Sequence, residues 1–262
     1  MHPEFTVSST PTSLHLRGKP IPGAEDRQRK IAGFHQEVFS RSSVICIGAG
    51  GLISHIAPTI VRKGIGTISI FDDDTVEVSN LNRQRFYEKD PGQNKAIALA
   101  RNLQPECIVA TKFFGHSYRL EEAVASGFDL CCDVAICGVD NNPARVAASR
   151  HFRNLGVPVI FTAVSRDGDH GYVFVQDRQG PCIGCLFPDM ADDDRYPCPG
   201  TPAIADSLQA VGALAVYAVD TLLMPRPRAW NYRRISLAGS SMDGCGTVSV
   251  RGGCRMCAAD HS

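Results

Sequence analysis

Residues 44–74, VICIGAGGLISHIAPTIVRKGIGTISIFDDD, constrain the fold of this chain more than any other segment. An apolar run ends in the glycine-rich turn at residues 48–51, a stretch of helical length follows, and a second apolar run ends at Asp72. Glycines let the backbone approach a phosphate closely, and the N–H groups that begin a helix point towards it. A carboxylate about 20 residues further on can accept hydrogen bonds from a ribose. The segment therefore predicts a βαβ unit that binds a nucleotide.

The rest of the chain alternates between strand patterns and helix patterns. Strand patterns lie at residues 107–113, 129–137, 157–162 and 171–176, and helix patterns at 92–103, 143–155 and 203–223. This alternation predicts an α/β fold with a Rossmann-like, mostly parallel sheet that carries helices on both faces. A short helix is predicted within residues 25–39, and two antiparallel strands at 232–237 and 247–250.

Composition limits the classes of function. The chain has 27 basic and 27 acidic residues, so bulk charge gives no reason to expect nucleic acid or a membrane as a partner. No apolar run reaches the roughly 18 residues that span a bilayer, and the start shows no signal-peptide pattern. We expect a cytoplasmic protein with a flexible arm over residues 1–24 and one domain over 25–262. In that compartment the 11 cysteines are thiols or metal ligands rather than disulfides.

Two CxxC pairs lie late in the chain. Cys182 and Cys185 form the first pair, and Cys254 and Cys257 form the second, 72 positions later. Zinc takes four thiolates in a tetrahedron, and each pair can supply two of them. The pairs predict a structural zinc site with four cysteine ligands that ties a late loop to the C-terminal tail. Four free thiols or a redox pair are the alternatives.

The polar segment DDDTVEVSNLNRQ, at residues 72–84, directly follows the βαβ unit. With GQNK at 92–95 and GVDNN at 138–142, it resembles the ThiF/MoeB/HesA family, the bacterial relatives of ubiquitin-activating enzymes. The resemblance covers residues 25–257. Members of that family use ATP and Mg²⁺ to adenylate a C-terminal carboxylate, so the resemblance implies an ATP-dependent adenylyltransferase.

The resemblance also implies roles for individual residues. Asp72 would hold the ribose, Arg83 and Lys95 would contact phosphates, and Asp140 would position Mg²⁺. Arg27 matches an arginine that reaches the nucleotide of the partner subunit, which implies a homodimer. The residues implied in nucleotide binding are Gly48, Ala49, Gly50, Gly51, Asp72, Asp74, Asn80, Arg83, Lys95 and Asp140. This set suits the chemistry, because a carboxylate that attacks a phosphate brings two anions together and cations must screen them.

Several of these residues have a plainer alternative role. Asp140 could be a helix N-cap that precedes Pro143. Asp74 could assist at the metal or be an exposed turn residue, and Asn80 could contact the nucleotide or shape its loop. These alternatives stay open at the level of sequence.

Cys198 stands between Pro197 and Pro199, just before an apolar helix pattern. Flanking prolines indicate an irregular, accessible loop, and a nearby helix N-terminus or Arg195 lowers a thiol pKa. In relatives, a cysteine on the equivalent segment takes up the activated carboxylate as a thioester or takes part in sulfur transfer. A buried thiol without a covalent role is the alternative.

The leading hypothesis is ATP-dependent adenylation of the C-terminal glycine of a small ubiquitin-like or sulfur-carrier protein, followed by a thioester on Cys198. A conjugating enzyme or a sulfur donor would be a further partner. One alternative substrate is a peptide or another small carboxylate. From other classes, the glycine turn and Asp72 alone would permit an NAD-dependent oxidoreductase, and a non-catalytic adaptor would keep the same fold. Ile53 in place of a third glycine, and the presence of Arg83, argue against hydride transfer.

Overall fold

The computed structural model describes residues 12–165, 167–190, 203–239 and 243–257. The strands, in chain order, are β1 Ser13–Arg17, β2 Ser43–Ile47, β3 Thr67–Phe71, β4 Lys112–His116, β5 Val134–Cys137, β6 Val159–Val164, β7 His170–Gln176, β8 Tyr232–Ser236 and β9 Gly244–Gly246. The helices are α1 Gln36–Phe39, α2 Gly51–Arg62, α3 Lys95–Leu103, α4 Leu120–Ala125, α5 Asn142–Asn154, α6 Ile183–Leu186 and α7 Ala205–Leu223.

The strands described form one nine-stranded sheet in the order β1-β4-β3-β2-β5-β6-β7-β8-β9. The neighbours from β4 to β6 run parallel to one another. At the edges, β1 pairs antiparallel with β4, and β7, β8 and β9 continue the sheet antiparallel beyond β6. The predicted α/β fold class, with its parallel sheet and antiparallel C-terminal strands, is confirmed.

Helices cover both faces of the sheet, which explains why β2 is apolar from Val44 to Ile47. Along β2, Val44 and Cys46 face one core, and Ile45 and Ile47 face the other. Successive side chains of a strand point to opposite faces, so a strand buried on both sides reads as a continuous apolar run. The first core includes buried residues of α2, α3 and α7, and the second includes those of α4 and α5.

The flexible arm predicted for residues 1–24 is wrong for Ser13–Arg17, which form the edge strand β1. Leu14 and Leu16 alternate with polar residues and pack against the first core. The register pairs Ser13 with His116, and Arg17 with Lys112. An edge strand of this kind has an alternating pattern that is too short to stand out within a polar segment.

Other elements also differ from their predictions. The strand predicted at 107–113 is Lys112–His116, and the strand predicted at 129–137 is Val134–Cys137. The last strand is Gly244–Gly246 rather than 247–250. The Asn231 side chain explains this, because it donates to the Val248 carbonyl (2.8 Å) and accepts from the Val248 N–H (2.7 Å), so both groups are used outside the ladder. The helix predicted within residues 25–39 is reduced to α1, which follows a left-handed turn at Gly33 (φ 76°).

His116 ends β4 inside an aromatic cluster and is only 7% exposed. Its ring stacks on Phe71 with centroids 4.6 Å apart and meets the edge of Phe128 at 5.0 Å. The Nδ1 atom lies 2.8 Å from the Ser13 hydroxyl of β1. Burial, with a smaller contribution from the nearby His15, lowers the pKa of this imidazole to about 4.

We expect acid to destabilise the fold through His116. Its pKa in the folded protein lies below the unfolded value, so the stabilising effect of the neutral ring is complete above about pH 6.5 and is lost towards pH 4. The shift corresponds to about 3 kcal/mol at most, at the conversion of 1.36 kcal/mol per pKa unit. Urea unfolding at pH 7 and pH 4.5 should therefore show a smaller loss of stability for His116→Phe than for the wild type. His35→Gln, at an exposed ring that does not contribute to the His116 shift, is the matched control and should keep the wild-type loss. Equal losses for all three proteins would contradict this prediction.

Among the residues described, no helix is long and apolar enough to cross a bilayer.

Candidate active site

A cleft of about 1420 Å³ opens at the carboxyl ends of the parallel strands. Its walls include Ile47 at the end of β2, Phe71 at the end of β3, Gly138 just after β5 and Val164 at the end of β6. The chain winds from β2 towards β3 and β4 on one side and places β5 on the other, so the cleft lies at the point where the strand order reverses. Ligands of open α/β sheets bind at such points.

The cleft collects most of the residues implied in nucleotide binding. Those that line it are Gly48, Gly50, Gly51, Asp72, Asp74, Asn80, Arg83, Lys95 and Asp140. Ala49 is buried behind the glycine turn and is not part of the lining. Arg27 is exposed and does not line the cleft either. Cys198 lies outside the described residues.

The glycine turn brings the backbone to the floor of the cleft. Gly48 has a φ of 90°, and a Cβ there would lie 3.3 Å from a methyl group of Val139. Gly50 is the N-cap residue of α2, so no side chain caps the first N–H groups of that helix. Free N–H groups at a helix start favour a bound anion. Ile53 is fully buried and fills the space beside Gly138, where a third glycine of a dinucleotide pattern would leave room.

Asp72 links two loops of the cleft through hydrogen bonds to its carboxylate. One carboxylate oxygen accepts from the Ala49 N–H (2.6 Å), and the other accepts from the Asp74 N–H (2.8 Å). Burial raises the pKa of Asp72 to about 6, while Lys95 and the two N–H groups oppose that shift. Each oxygen has a second lone pair, so the carboxylate can also accept from a ribose hydroxyl.

Lys95 begins α3 and is fixed before any ligand binds. Asn94 caps the helix by accepting from the Ile97 N–H (3.1 Å), and its amide donates to the Asp72 and Asp74 carbonyls. The Lys95 ammonium lies 2.8 Å from an Asp74 carboxylate oxygen, and its side chain is 13% exposed against 62% for Asp74. Asp74 therefore serves as the counterion of Lys95 in this structure.

Arg83 is held by its own loop. Its guanidinium donates to the Ser79 carbonyl (2.8 Å) and to the Asn82 side chain (2.9 Å). The His55 imidazole on α2 lies 3.0 Å from the Arg83 carbonyl. Asn80 is buried, and its side-chain oxygen accepts from the Glu77 N–H (3.0 Å), so it shapes this loop.

The turn after β5 settles the alternative role of Asp140. Asn141 is the N-cap of α5, because its side-chain oxygen accepts from the Ala144 N–H (2.9 Å). The N-cap interpretation of Asp140 is therefore wrong. Asp140 is exposed towards the cleft, and no side chain in the described ranges donates to its carboxylate.

Sequence reasoning missed three side chains of the cleft. Arg119 pairs through Nε with Asp73 (2.7 Å), Arg145 reaches back from α5, and Tyr172 comes from β7. Burial raises the pKa of the Tyr172 phenol, and the nearby Arg145 charge opposes that shift. Arg119 follows the end of β4 and Arg145 follows the end of β5, so their places near strand ends were the available signal.

The four predicted metal-ligating cysteines come together at α6, of which Cys182 is the N-cap residue and Cys185 a member. The Sγ atoms of Cys182 and Cys254 are 3.5 Å apart, as are those of Cys185 and Cys257, and all four lie within 4.8 Å of one another. A tetrahedron with Zn–S bonds of about 2.3 Å places its sulfur atoms about 3.8 Å apart, so the cluster has the size of a zinc site. All four residues are buried, and the Arg251 N–H donates to the Cys185 sulfur (3.4 Å). The donor set and spacing fit zinc.

The model of the ThiF family matches residues 25–247. The chain belongs to the ThiF family. The sulfur carrier protein adenylyltransferase of Thermus thermophilus is 32% identical over 196 residues, which cover 69% of this chain and 71% of that protein. The SAMP-activating enzyme E1 of Haloferax volcanii is 29% identical over 197 residues, 73% of this chain and 71% of that enzyme. Among solved structures, E. coli MccB with ATP has a TM-score of 0.65 at 18% identity and covers 85% of this chain and 68% of its own, which shows a shared fold.

Family membership confirms the resemblance drawn from the motifs and the enzyme class that it implied, an ATP-dependent adenylyltransferase. The cleft of this ThiF-family chain is consistent with that class. It combines uncapped helix N–H groups, the cations Lys95 and Arg83, and the free carboxylate of Asp140. None of these groups has to move a proton for an acyl phosphate anhydride to form.

Proposed function

We propose that this chain adenylates the C-terminal carboxylate of a small ubiquitin-like or sulfur-carrier protein and releases pyrophosphate. The observation that carries the proposal is Lys95, a mostly buried ammonium at a helix start that lines the same cleft as the uncapped glycine turn. A buried cation beside free N–H groups suits a triphosphate. The names of the relatives from Thermus thermophilus and Haloferax volcanii support the class of substrate.

In the proposed step, a carboxylate oxygen of the substrate bonds to the α-phosphorus of ATP, and the bond to the pyrophosphate oxygen breaks. Lys95 and Arg83 offset the negative charge on the phosphates and orient the attack. Arg83 brings a planar fork that suits two phosphate oxygens, whereas Lys95 brings a compact charge. Asp72 accepts from the ribose and so fixes the nucleotide relative to the glycine turn.

Mg²⁺ fits the acidic groups of the cleft. Asp73 and Asp74 are already paired with Arg119 and Lys95, whereas Asp140 has no bonded side chain among the residues described. Carboxylate oxygens are the ligands that Mg²⁺ prefers. We therefore assign Asp140 as a protein ligand of this ion, which would supply charge neutralisation to the phosphates when bound.

Three further assignments belong to the proposal. The cysteine cluster holds a structural zinc ion, with no open position for catalysis. Arg27 reaches the nucleotide of a second subunit in a homodimer, which suits its exposed place away from its own cleft. The Cys198 thiolate attacks the adenylated carbonyl carbon, so that a thioester forms, the bond to the phosphate oxygen breaks and AMP leaves; the thioester then serves transfer to a conjugating enzyme or sulfur transfer.

ATP–pyrophosphate exchange tests the function directly. We expect exchange when the enzyme is mixed with a small ubiquitin-fold protein that ends in glycine, and none with the same protein after removal of that residue. A short glycine-ended peptide in a third arm tests the alternative substrate. Absence of exchange in every arm, together with absence of Mg-ATP binding, would contradict adenylation and favour the oxidoreductase or adaptor.

The covalent step has a separate test by intact mass spectrometry. We expect a thiol-sensitive adduct of the enzyme and the carrier protein for the wild type and for Cys131→Ala, which removes an exposed thiol. Cys198→Ala should keep pyrophosphate exchange and lose the adduct. An adduct that persists in Cys198→Ala would contradict the thioester assignment and leave adenylation standing.

A further inference from the structure

Arg145 spans the turn that carries Asp140. It lies in the first turns of α5, is half-buried and lines the cleft. Its Nη2 atom donates to the Val139 carbonyl (2.9 Å), and its Nη1 atom donates to the Asn142 side-chain oxygen (3.2 Å). These two acceptors stand immediately before and after the pair Asp140 and Asn141, so the guanidinium links the two ends of the turn.

The backbone of that turn sets where the Asp140 carboxylate lies. Within the ranges that the structure describes, no side chain bonds to this carboxylate. The Gly138 N–H donates to the Ile47 carbonyl (3.0 Å), and Asn141 caps α5. Arg145 joins the strand side of the turn to its helix side.

The turn also contacts the glycine loop. Val139, whose carbonyl accepts from Arg145, has a methyl group 3.3 Å from the place of a Cβ at Gly48. A shift of Val139 therefore changes the space beside the phosphate-binding backbone. Close packing of this kind transmits small displacements, because protein interiors leave few voids.

The chemistry of the contact requires arginine. A guanidinium offers five N–H donors in a rigid fork and can reach two acceptors at a fixed spacing, whereas an ammonium acts as one compact point. Arg145 forms no ion pair with a carboxylate in the described part of the chain, so its charge-assisted bonds go to neutral oxygens of this turn. Among the residues described, its buried Nε atom has no hydrogen-bond partner.

We propose that Arg145 is a positioning residue that holds the turn at residues 139–142 so that Asp140 presents its carboxylate to the divalent cation bound with ATP. This inference rests on the proposed function, in which Asp140 contacts that cation. Residues that orient a metal ligand change metal affinity or activity by about 10–100-fold when they are replaced. The expected effect is therefore on the concentration of metal that the enzyme requires.

The test compares Arg145→Gln and Arg145→Lys with Arg150→Gln, which removes an exposed arginine from the same helix. With a non-hydrolysable ATP analogue present, we expect the dissociation constant for Mn²⁺ to rise about 10-fold or more in Arg145→Gln. Arg145→Lys should recover little of this loss, because it restores the charge without the fork. The half-saturating Mg²⁺ concentration for pyrophosphate exchange should rise in parallel, and Arg150→Gln should match the wild type in every measurement.

Hydrogen exchange provides a readout that involves neither metal nor activity. In the metal-free protein, peptides that cover residues 138–142 should exchange faster in Arg145→Gln, while peptides that cover β2 should not change. Wild-type Mn²⁺ affinity together with unchanged exchange at 138–142 would overturn the inference. Faster hydrogen exchange over the whole protein, together with a lower midpoint of thermal unfolding, would also overturn it, because the lower metal affinity would then follow from general destabilisation. Loss of pyrophosphate exchange in wild type would instead count against the proposed function.

Discussion

Replacing Lys95 by methionine is expected to lower the rate of ATP–pyrophosphate exchange by about 10²–10³-fold, the usual effect of removing one preorganised group that stabilises transition-state charge. Methionine keeps much of the length of the side chain and removes the charge. Asp74 loses its counterion in this variant, but its side chain is 62% exposed, so water solvates it. The fold should therefore remain as stable as the wild type in urea unfolding.

The matched control for this experiment is Lys89→Met, which removes an exposed lysine from the loop that precedes α3. It should exchange pyrophosphate at the wild-type rate. If Lys95→Met exchanged as fast as Lys89→Met, Lys95 would be an ordinary partner of Asp74, and the charge assignment in the cleft would be wrong. If Lys95→Met lost stability as well as activity, the lower exchange rate would be due to unfolding and not to the missing charge.

The pairing of Lys95 with Asp74 also shapes how the nucleotide binds. A hydrated ammonium would have to lose its bound water when the phosphate arrives. In this structure the Lys95 side chain is only 13% exposed, and its ammonium contacts the Asp74 carboxylate in place of water. Binding then replaces one anion by another, so little of the cost of desolvation falls on the binding step.

Removing one cysteine of the cluster is the second change with a large expected effect. Cys254→Ser should release the bound zinc and lower the midpoint of thermal unfolding by about 10 °C or more, given a fall of roughly 2–4 °C per kcal/mol for chains of this size. Structural zinc sites in isolated peptides release about 10–16 kcal/mol on binding, so loss of even half of that would suffice. Zinc per chain by atomic emission and a thermal scan measure both parts.

Cys245→Ser is the control, because Cys245 is an exposed thiol on β9 outside the cluster. It should retain zinc and the wild-type midpoint. Wild-type protein that contains no zinc after purification in a zinc-containing medium would contradict the assignment of the metal. The cluster would then be four reduced thiols, and chelators would leave the unfolding midpoint unchanged.

The sequence was sufficient to predict those elements whose buried residues form a continuous pattern along the chain. The βαβ unit over residues 44–74 was predictable because Val44 and Ile45 face different cores, which leaves no polar residue between Val44 and Ile47. The strand β1 was missed because its partner β4 is remote in sequence and its apolar face consists of Leu14 and Leu16 only. The exact last strand was missed because it depends on bonds from the Asn231 side chain.

The residues of the candidate site also divide into those that the sequence predicted and those that it did not. Asp72, Lys95 and Asp140 lie close to strand ends or helix starts, where topology alone brings residues into one cleft. Arg119 and Arg145 also lie near strand ends but outside the recognised motifs, whereas Tyr172 lines the cleft from β7 at a place that no spacing in the sequence reveals. Asn80 is an intermediate case, since its motif marked the loop but only the bond from the Glu77 N–H showed its role there. The roles of Arg27 and Cys198 stay predictions.

The pairing of β1 with β4 constrains the order in which the sheet is completed during synthesis. Ser13 and His116 are 103 residues apart in the chain yet adjacent in the sheet. A ribosome releases β1 before the other strands described, but β1 cannot pair with β4 until β4 has emerged, and closing so long a loop costs more entropy than closing the loop between β2 and β3. Although it is made before the other described strands, β1 is therefore among the last of them to be added. Until then, the outer edge of β4 is open to strands of other nascent chains.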